Sequence, residues 1–459
     1  MNYHTQINKM SKNWQIFLFF LVLFALLTRP DVSSWSDASR MATIQSLVEH
    51  HSFIIDNSQF TTNDKYFYQG HFYSDKPPNL AIYGSVFYLL LKGLGISFSN
   101  HYNLTYYLLT LLVVGVSTCI GLVYFYKTIK LFGVDDKWAD VLVLVTATGT
   151  LILPYSTVFN NHTVTGVLLV MGFYYLVRIK ESVKYALFAG LLIALAGSID
   201  ITAFSFIPFS AIVLVDKPLK SKITFTLACA VVILVYFLLN LYTSGSLTPP
   251  AMNKALWEYR GPNFGDSSLS GLAYHPNISS QLNYGFHMLV GNRGLISYTP
   301  LLAFSIFGFA KVFSKNFKYR KEYLFIILGS LAYILMYIFR SNNYSGSSYG
   351  VRWYADLMFL LCLPLANIGN EIKNSKKLKT LFFIISSISI VISSIGIIAP
   401  FVPVKKDSNS FISCFIYIFK YPIFSLEFML LFTRLIVIAI ATYYILTMLR
   451  LYYKKFLRT

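Results

Sequence analysis

The sequence predicts an all-α polytopic membrane protein with about 12 transmembrane helices, within a range of roughly 11–13. Three observations carry that prediction. Of the 459 residues, 56% are hydrophobic and only 12% are charged, which lies outside the composition of a soluble globular chain. Apolar stretches of roughly 15 to 25 residues recur along the chain, and only helices or closed barrels satisfy the backbone in lipid. The runs are continuous rather than alternating, so a barrel is excluded. Finally, most of the Lys and Arg behind the net charge of +19 fall in short loops between those stretches. That is the pattern of topology signals, not of nucleic-acid binding.

The elements follow in order. Residues 14–28 are read as a retained first helix, because no A-x-A-like cleavage site follows and many apolar segments come after. A polar run from Asp31 to Pro78 comes next. Basic clusters at Lys9/Lys12, Lys127–Lys137, Arg178–Lys184, Lys217–Lys222, Lys311–Lys321, Lys373–Lys379 and Arg450–Arg458 are all expected in the cytoplasm. An even number of spans must therefore separate each from the next. Between the first two lie three apolar segments, 14–28, 79–96 and 104–126. The weakest, 79–96, is short, carries Lys92 and holds three glycines, so it is expected to lie in the outer interface without crossing. The later spans pair as 139–153 with 162–178, 185–199 with 201–215, 223–243 with 297–313, 322–340 with 351–368, and 378–400 with 424–448. The result is one membrane domain over residues 1–459, with both termini inside. Its first outer loop covers about 29–103 and its second long outer loop covers 244–296. The cysteines, Cys119, Cys229, Cys362 and Cys414, have no metal-like spacing and read as buried small hydrophobes.

A chain that is mostly membrane span has little room for chemistry, which directs attention to polar groups near the outer face. Asp37 follows the first span in WSDASRMATIQSLVEHH. There Ser36 or Asp37 caps a short amphipathic helix, or Asp37 faces a cavity in the bundle as a functional acid. Asp75-Lys76-Pro77-Pro78 holds an acid–base pair on a stiff backbone at the start of segment 79–96, either as a turn ion pair or as part of a site. His162, after Asn160 and Asn161, ends a short outer loop, and Asp200 lies at an outer hairpin turn. Both also fit plain interfacial or turn roles. Lys254, Arg260, His275, His287, Arg293 and Arg352 supply cations on a face that otherwise has few. Arg293 precedes Gly294, Arg352 follows Gly350 by two residues, and each begins a span, where an arginine either snorkels to headgroups or binds a phosphate through its planar fork. No P-loop, Rossmann glycine fingerprint, Ser-His-Asp signature or HExxH occurs, which turns attention from soluble nucleotides to a lipid-borne phosphate.

One span, a long outer loop with an early Asp, and Tyr73 ahead of Asp75-Lys76-Pro77-Pro78 and an apolar helix resemble the GT-C superfamily of membrane glycosyltransferases. The branch is that of the protein O-mannosyltransferases and lipid A aminoarabinose transferases, the family 39 type. GNRGLISYTPLL around Arg293 and GVRWYADLMFLLCLP around Arg352 are similar to further elements of that branch. The resemblance implies inverting transfer of a hexose or pentose from a polyprenyl-phosphate sugar to a protein, lipid or glycan acceptor, on the extracytoplasmic face of the plasma membrane. It gives Asp37 the role of base, with Asp75 and Lys76 beside it in the catalytic centre. Lys76, Arg293 and Arg352 would stabilise the departing phosphate, and Lys254, His162, Asp200 and Tyr73 would line the substrate site. A divalent metal near Asp37 and Asp75 is also implied. One departure stands out. Where the branch carries a second acid in a short outer loop, PYSTVFNNHTV has Asn160, Asn161 and His162, so either His162 substitutes for that acid or the chain works without it. Two other functional classes remain open. A lipid-linked saccharide flippase or other transporter would show internal repeats and midplane charges, and a polysaccharide polymerase would place its main loop late in the chain.

Overall fold

Apolar runs with no internal proline or charge propagate as helices, and the computed structural model is built from them. It describes residues 10–260, 273–314, 317–404, 408–422 and 425–457. Lys9, Lys315, Arg458 and residues 261–272 of the second long loop lie outside the described residues. The first helix is α1 (Lys12–Leu27), followed by the short α2 (Trp35–Glu49) and α3 (Asn79–Gly93). The bundle continues with α4 (Tyr102–Leu131), α5 (Asp136–Thr148), α6 (His162–Val177), α7 (Val183–Ile199), α8 (Ile201–Leu214) and α9 (Leu219–Ser244). After the second loop come α10 (Ile278–Leu289), α11 (Leu302–Phe313), α12 (Arg320–Arg340), α13 (Arg352–Asn374) and α14 (Lys376–Gly396). The last two are α15 (Ser410–Ile418) and α16 (Leu426–Leu457).

Among the described residues, six of these helices (α4, α9, α12, α13, α14 and α16) are long and apolar enough to cross a membrane. Shorter apolar helices, α1, α6, α7, α8 and α11, accompany them. The protein is therefore an integral membrane protein, and each segment expected to span contains a helix, with breaks at 149–151 inside 139–153 and at 299–301 inside 297–313. The fold is not purely α, however. The polar loop before α3 contains a two-stranded antiparallel hairpin, β1 (Lys65–Tyr68) and β2 (His71–Ser74). Its turn residues Gln69 and Gly70 have φ of 49° and 86°, the pair of positive values that a two-residue hairpin turn with matching twist requires.

Helix contacts are close where small residues allow them. α7 lies between α6 and α9, and a Cβ added to Gly190 would stand 2.6 Å from the Phe225 carbonyl oxygen. The basic loops gather at one end of the bundle. Lys12 pairs with Asp140 at 2.7 Å, Lys373 with Asp135, Lys311 with Glu371 and Lys321 with Asp216. These pairs join five loops or helix ends that the charge pattern placed on a single face. Exposed ion pairs of this kind add little stability each, so their information is positional. At the other end of α1, the chain between α1 and α4 packs as a cap: α2 rests on α3, and the Ile44 side chain fills the space where Gly84 has no side chain.

Candidate active site

At that end the capping elements, the α6 and α7 termini and the loop before α13 enclose a cavity of about 790 Å³. Each wall has a local cause. α2 starts at Ser34, whose side chain accepts from the Asp37 amide at 3.2 Å, while the Asp37 carboxylate accepts from the Ser34 amide at 2.7 Å. This reciprocal box makes Ser34 the N-cap, not Ser36 or Asp37 as the sequence suggested. The Asp37 oxygens also accept from the Ser33 amide at 2.9 Å, the Ala38 amide at 3.0 Å and the Tyr106 hydroxyl at 2.7 Å. Asp37 is wholly buried and does not line the cavity. Its lone pairs are occupied by fixed donors, so it does not fit as a metal ligand shared with Asp75.

One turn further along α2, Arg40 reaches the cavity. It donates from Nη1 to the Ser36 carbonyl at 2.9 Å and from Nη2 to Asn161 Oδ1 at 2.7 Å, and its buried Nε has no hydrogen-bond partner. The hairpin delivers Asp75 and Lys76 opposite. Lys76 Nζ lies 2.8 Å from both Asp64 Oδ2 and Asp75 Oδ2, and Asp75 Oδ1 is buried without a partner. Ser39 ties α2 to this element, contacting the Asp64 carbonyl at 2.5 Å and the Ser74 hydroxyl at 2.6 Å. Tyr73 also lines the cavity, stacked on Tyr66 at 5.6 Å between ring centroids.

The two acids on Lys76 differ in proton affinity. Burial would raise Asp64, but the charge and hydrogen bond of Lys76 outweigh it and hold that carboxyl below the usual range. For Asp75, burial dominates over Lys76, and the neighbouring Asp64 adds to it, so its carboxyl is raised. Burial, followed by the charge of Arg352, pushes the Arg40 guanidinium down to about 10 against the pull of Asp75, Asp64 and Asp37.

Arg352 lines the cavity, with its guanidinium 5.3 Å from the Phe401 ring centroid and its buried Nε unpaired. Arg293 does not line it. Its side chain donates from Nη1 to the carbonyls of Gly346 at 3.1 Å and Ser348 at 2.9 Å, and from Nε to that of Ser408 at 3.2 Å. It clamps the loop before α13, in which Tyr344 and Ser345 hold positive φ of 52° and 66°. Such strained backbone persists only where the surroundings hold it. Lys254 lies outside the cavity lining, in a short 3₁₀ segment.

His162 and Asp200 line the cavity floor, with Asp356 buried behind them. His162 Nδ1 lies 2.8 Å from Asp356 Oδ1 and 3.3 Å from Asp200 Oδ2. The structure thus brings together Asp75, Lys76, Arg352, His162, Asp200 and Tyr73 from the sequence reading, and leaves Asp37, Arg293 and Lys254 outside. It adds Arg40, Asp64 and Asp356. The i to i+4 step from Ser36 to Arg40, and from Arg352 to Asp356, was the available signal for two of these.

No family model matches the sequence, and neither does any curated protein. A solved structure does match: ArnT from Cupriavidus metallidurans, crystallised bound to undecaprenyl phosphate. It aligns with a TM-score of 0.57 over 97% of this chain and 77% of that one, at 10% sequence identity. The two chains share their overall fold. The likeness is one of architecture, reached with almost no shared sequence.

Proposed function

We propose that the protein is a membrane glycosyltransferase that moves a sugar from a polyprenyl-phosphate donor to an acceptor hydroxyl, with inversion, at the outer membrane face. The observation that carries this reading is the pair of buried guanidinium Nε–H donors without partners, on Arg40 and Arg352, both on the cavity wall. Buried donors left unmade cost about 1–3 kcal/mol each, a cost that an anionic ligand removes. Four cations line the cavity, Arg40, Lys76, Arg260 and Arg352, against three acids, Asp64, Asp75 and Asp200. A phosphate at the membrane surface fits that balance, and the GT-C fold of a protein crystallised with undecaprenyl phosphate supports it.

In this reading Arg352, Arg40 and Lys76 hold the lipid phosphate. Asp75 takes the proton of the acceptor hydroxyl as its oxygen bonds to the anomeric carbon. The bond from that carbon to the phosphate oxygen breaks, and its electron pair leaves on the phosphate, where the three cations stabilise it. Asp75 suits the base role through its raised proton affinity and its free Oδ1. Asp37, the base implied by family resemblance, instead fixes the end of α2 that carries Arg40.

The test is incubation of the purified protein with a panel of polyprenyl-phosphate hexoses and pentoses, followed by mass analysis. Released polyprenyl phosphate supports the reading. Donors that cross a liposome membrane intact, with no release, would instead make the protein a flippase.

A further inference from the structure

The floor of the cavity carries a second constellation that the transfer reading does not use. His162 starts α6, Asp200 sits at the turn between α7 and α8, and Asp356 lies in the first turns of α13. We propose that His162, Asp200 and Asp356 form a divalent-cation site of the manganese or zinc class, open towards the cavity.

Geometry is the first argument. One ligand atom from each residue lies within 4.8 Å of the other two. Atoms bound to one ion at about 2.0–2.2 Å stand roughly 3–4.4 Å apart, so only small shifts are needed to close the set. Imidazole with carboxylates suits zinc or manganese, and three protein ligands with an exposed fourth side describe a site that binds something further.

The second argument is an orphan. Asp356 is wholly buried, and its Oδ2 has no hydrogen-bond partner. The Tyr333 hydroxyl donates to the Trp353 carbonyl at 3.1 Å and also lies within hydrogen-bonding reach of the Asp356 carboxyl. A carboxylate oxygen left bare in the interior is costly, and a metal ion is the ligand that an acceptor-only group in a cluster of acceptors can take.

Charge is the third. With both buried carboxylates ionised, even a protonated His162 leaves the cluster at −1. A divalent cation with neutral His162 brings it to zero. The remaining Asp200 contacts are what a metal ligand needs for orientation: its Oδ1 accepts from the Thr202 amide at 3.1 Å and the Tyr337 hydroxyl at 3.4 Å, and its Oδ2 from Asn161 Nδ2 at 3.1 Å. Asn161 in turn accepts from Arg40, so the cation site is linked by one residue to the guanidinium wall.

The proposal stands apart from sugar transfer, and its test reads metal, not turnover. Full-length protein, stripped with chelator and held in nanodiscs, is titrated with Mn²⁺ while free Mn²⁺ is followed by electron paramagnetic resonance. One ion per chain is expected, displaced by Zn²⁺, with nitrogen modulation from an imidazole in the pulsed spectrum. Asp356→Asn and Asp200→Asn should each weaken binding at least tenfold, and His162→Gln should remove the nitrogen signal. Using separate variants keeps the test valid if one of them fails to fold. Absence of stoichiometric binding in the wild type, or equal binding in the folded Asp variants, overturns the site and leaves an imidazolium held between two carboxylates.

Discussion

The N-terminal end of α2 and the hairpin end at Asp75 sit in the same polar stretch between α1 and α4, each with an aspartate beside a short helix, yet they use the carboxylate in opposite ways. Asp37 is surrounded by N–H and O–H donors that come with the fold. Asp75 has one oxygen on Lys76 and the other bare, with a second acid close by. A carboxylate whose oxygens are all taken by fixed donors has nothing left to offer a substrate. One left partly unpaired, next to a like charge and on a residue that lines the cavity, holds a proton more readily and keeps an oxygen without a partner. Position in the loop is thus a poor guide to role, and the donors around each carboxylate decide it.

The comparison is most sharply broken at Asp75. Asp75→Asn keeps the size and the hydrogen bond to Lys76 but cannot take a proton, so turnover of a polyprenyl-phosphate sugar should fall roughly 10²–10⁴-fold with the protein still folded. Turnover within a few-fold of wild type would remove Asp75 from the chemistry.

Asp37→Asn should act on stability instead. The amide NH₂ must face at least one of the Ser33, Ser34 or Tyr106 donors, leaving buried groups unpaired at a cost of about 1–3 kcal/mol. A lower thermal unfolding midpoint is expected, with turnover per folded molecule close to wild type. The reverse pattern would return the base role to Asp37.

The smallest effect is on pH dependence. A base with a raised pKa loses its proton only as pH climbs past the ordinary carboxylate range, so the acid limb of kcat/KM should lie above the model-peptide value of 3.8. Asp64→Asn removes the like charge and leaves Lys76 to Asp75 alone. Both changes lower the Asp75 pKa, and the limb should move to lower pH. The stability contributions have opposite signs. That of Asp64, whose pKa is lowered, is present above its unfolded value and is lost as pH falls through the folded one. That of Asp75, whose pKa is raised, is present below its unfolded value and is lost as pH rises through the folded one. A limb that stays fixed in Asp64→Asn would show that another group controls it.

The helical segments were legible because their signal is local: a long apolar run bounded by Lys or Arg needs no partner to be recognised. The expected span at 322–340 became helix Arg320–Arg340, and 378–400 became Lys376–Gly396. The hairpin at 65–74 was not legible despite the Tyr-Gln-Gly-His turn signal, because its strands are only four residues each, too short for alternation to stand out. Site membership was legible only in part. His162, Asp200 and Asp356 come from three different helix ends, and no spacing along the chain encodes their meeting. Arg293 and Arg352 have a similar sequence context, a glycine within two residues at the start of a span. Only the fold shows that one holds backbone carbonyls and the other faces the cavity.

That last pair gives the most direct test of the account, which rests on Arg352 meeting the lipid phosphate. The affinity of nanodisc-held protein for undecaprenyl phosphate is measured for wild type and for Arg352→Ala, with folding checked by thermal unfolding. Loss of a charge-assisted contact of about 1.5–3 kcal/mol predicts affinity weaker by roughly 10- to 150-fold, at an unchanged unfolding midpoint. Equal affinity in the two proteins would contradict the account and leave Arg352 as a wall residue of a cavity built for something else.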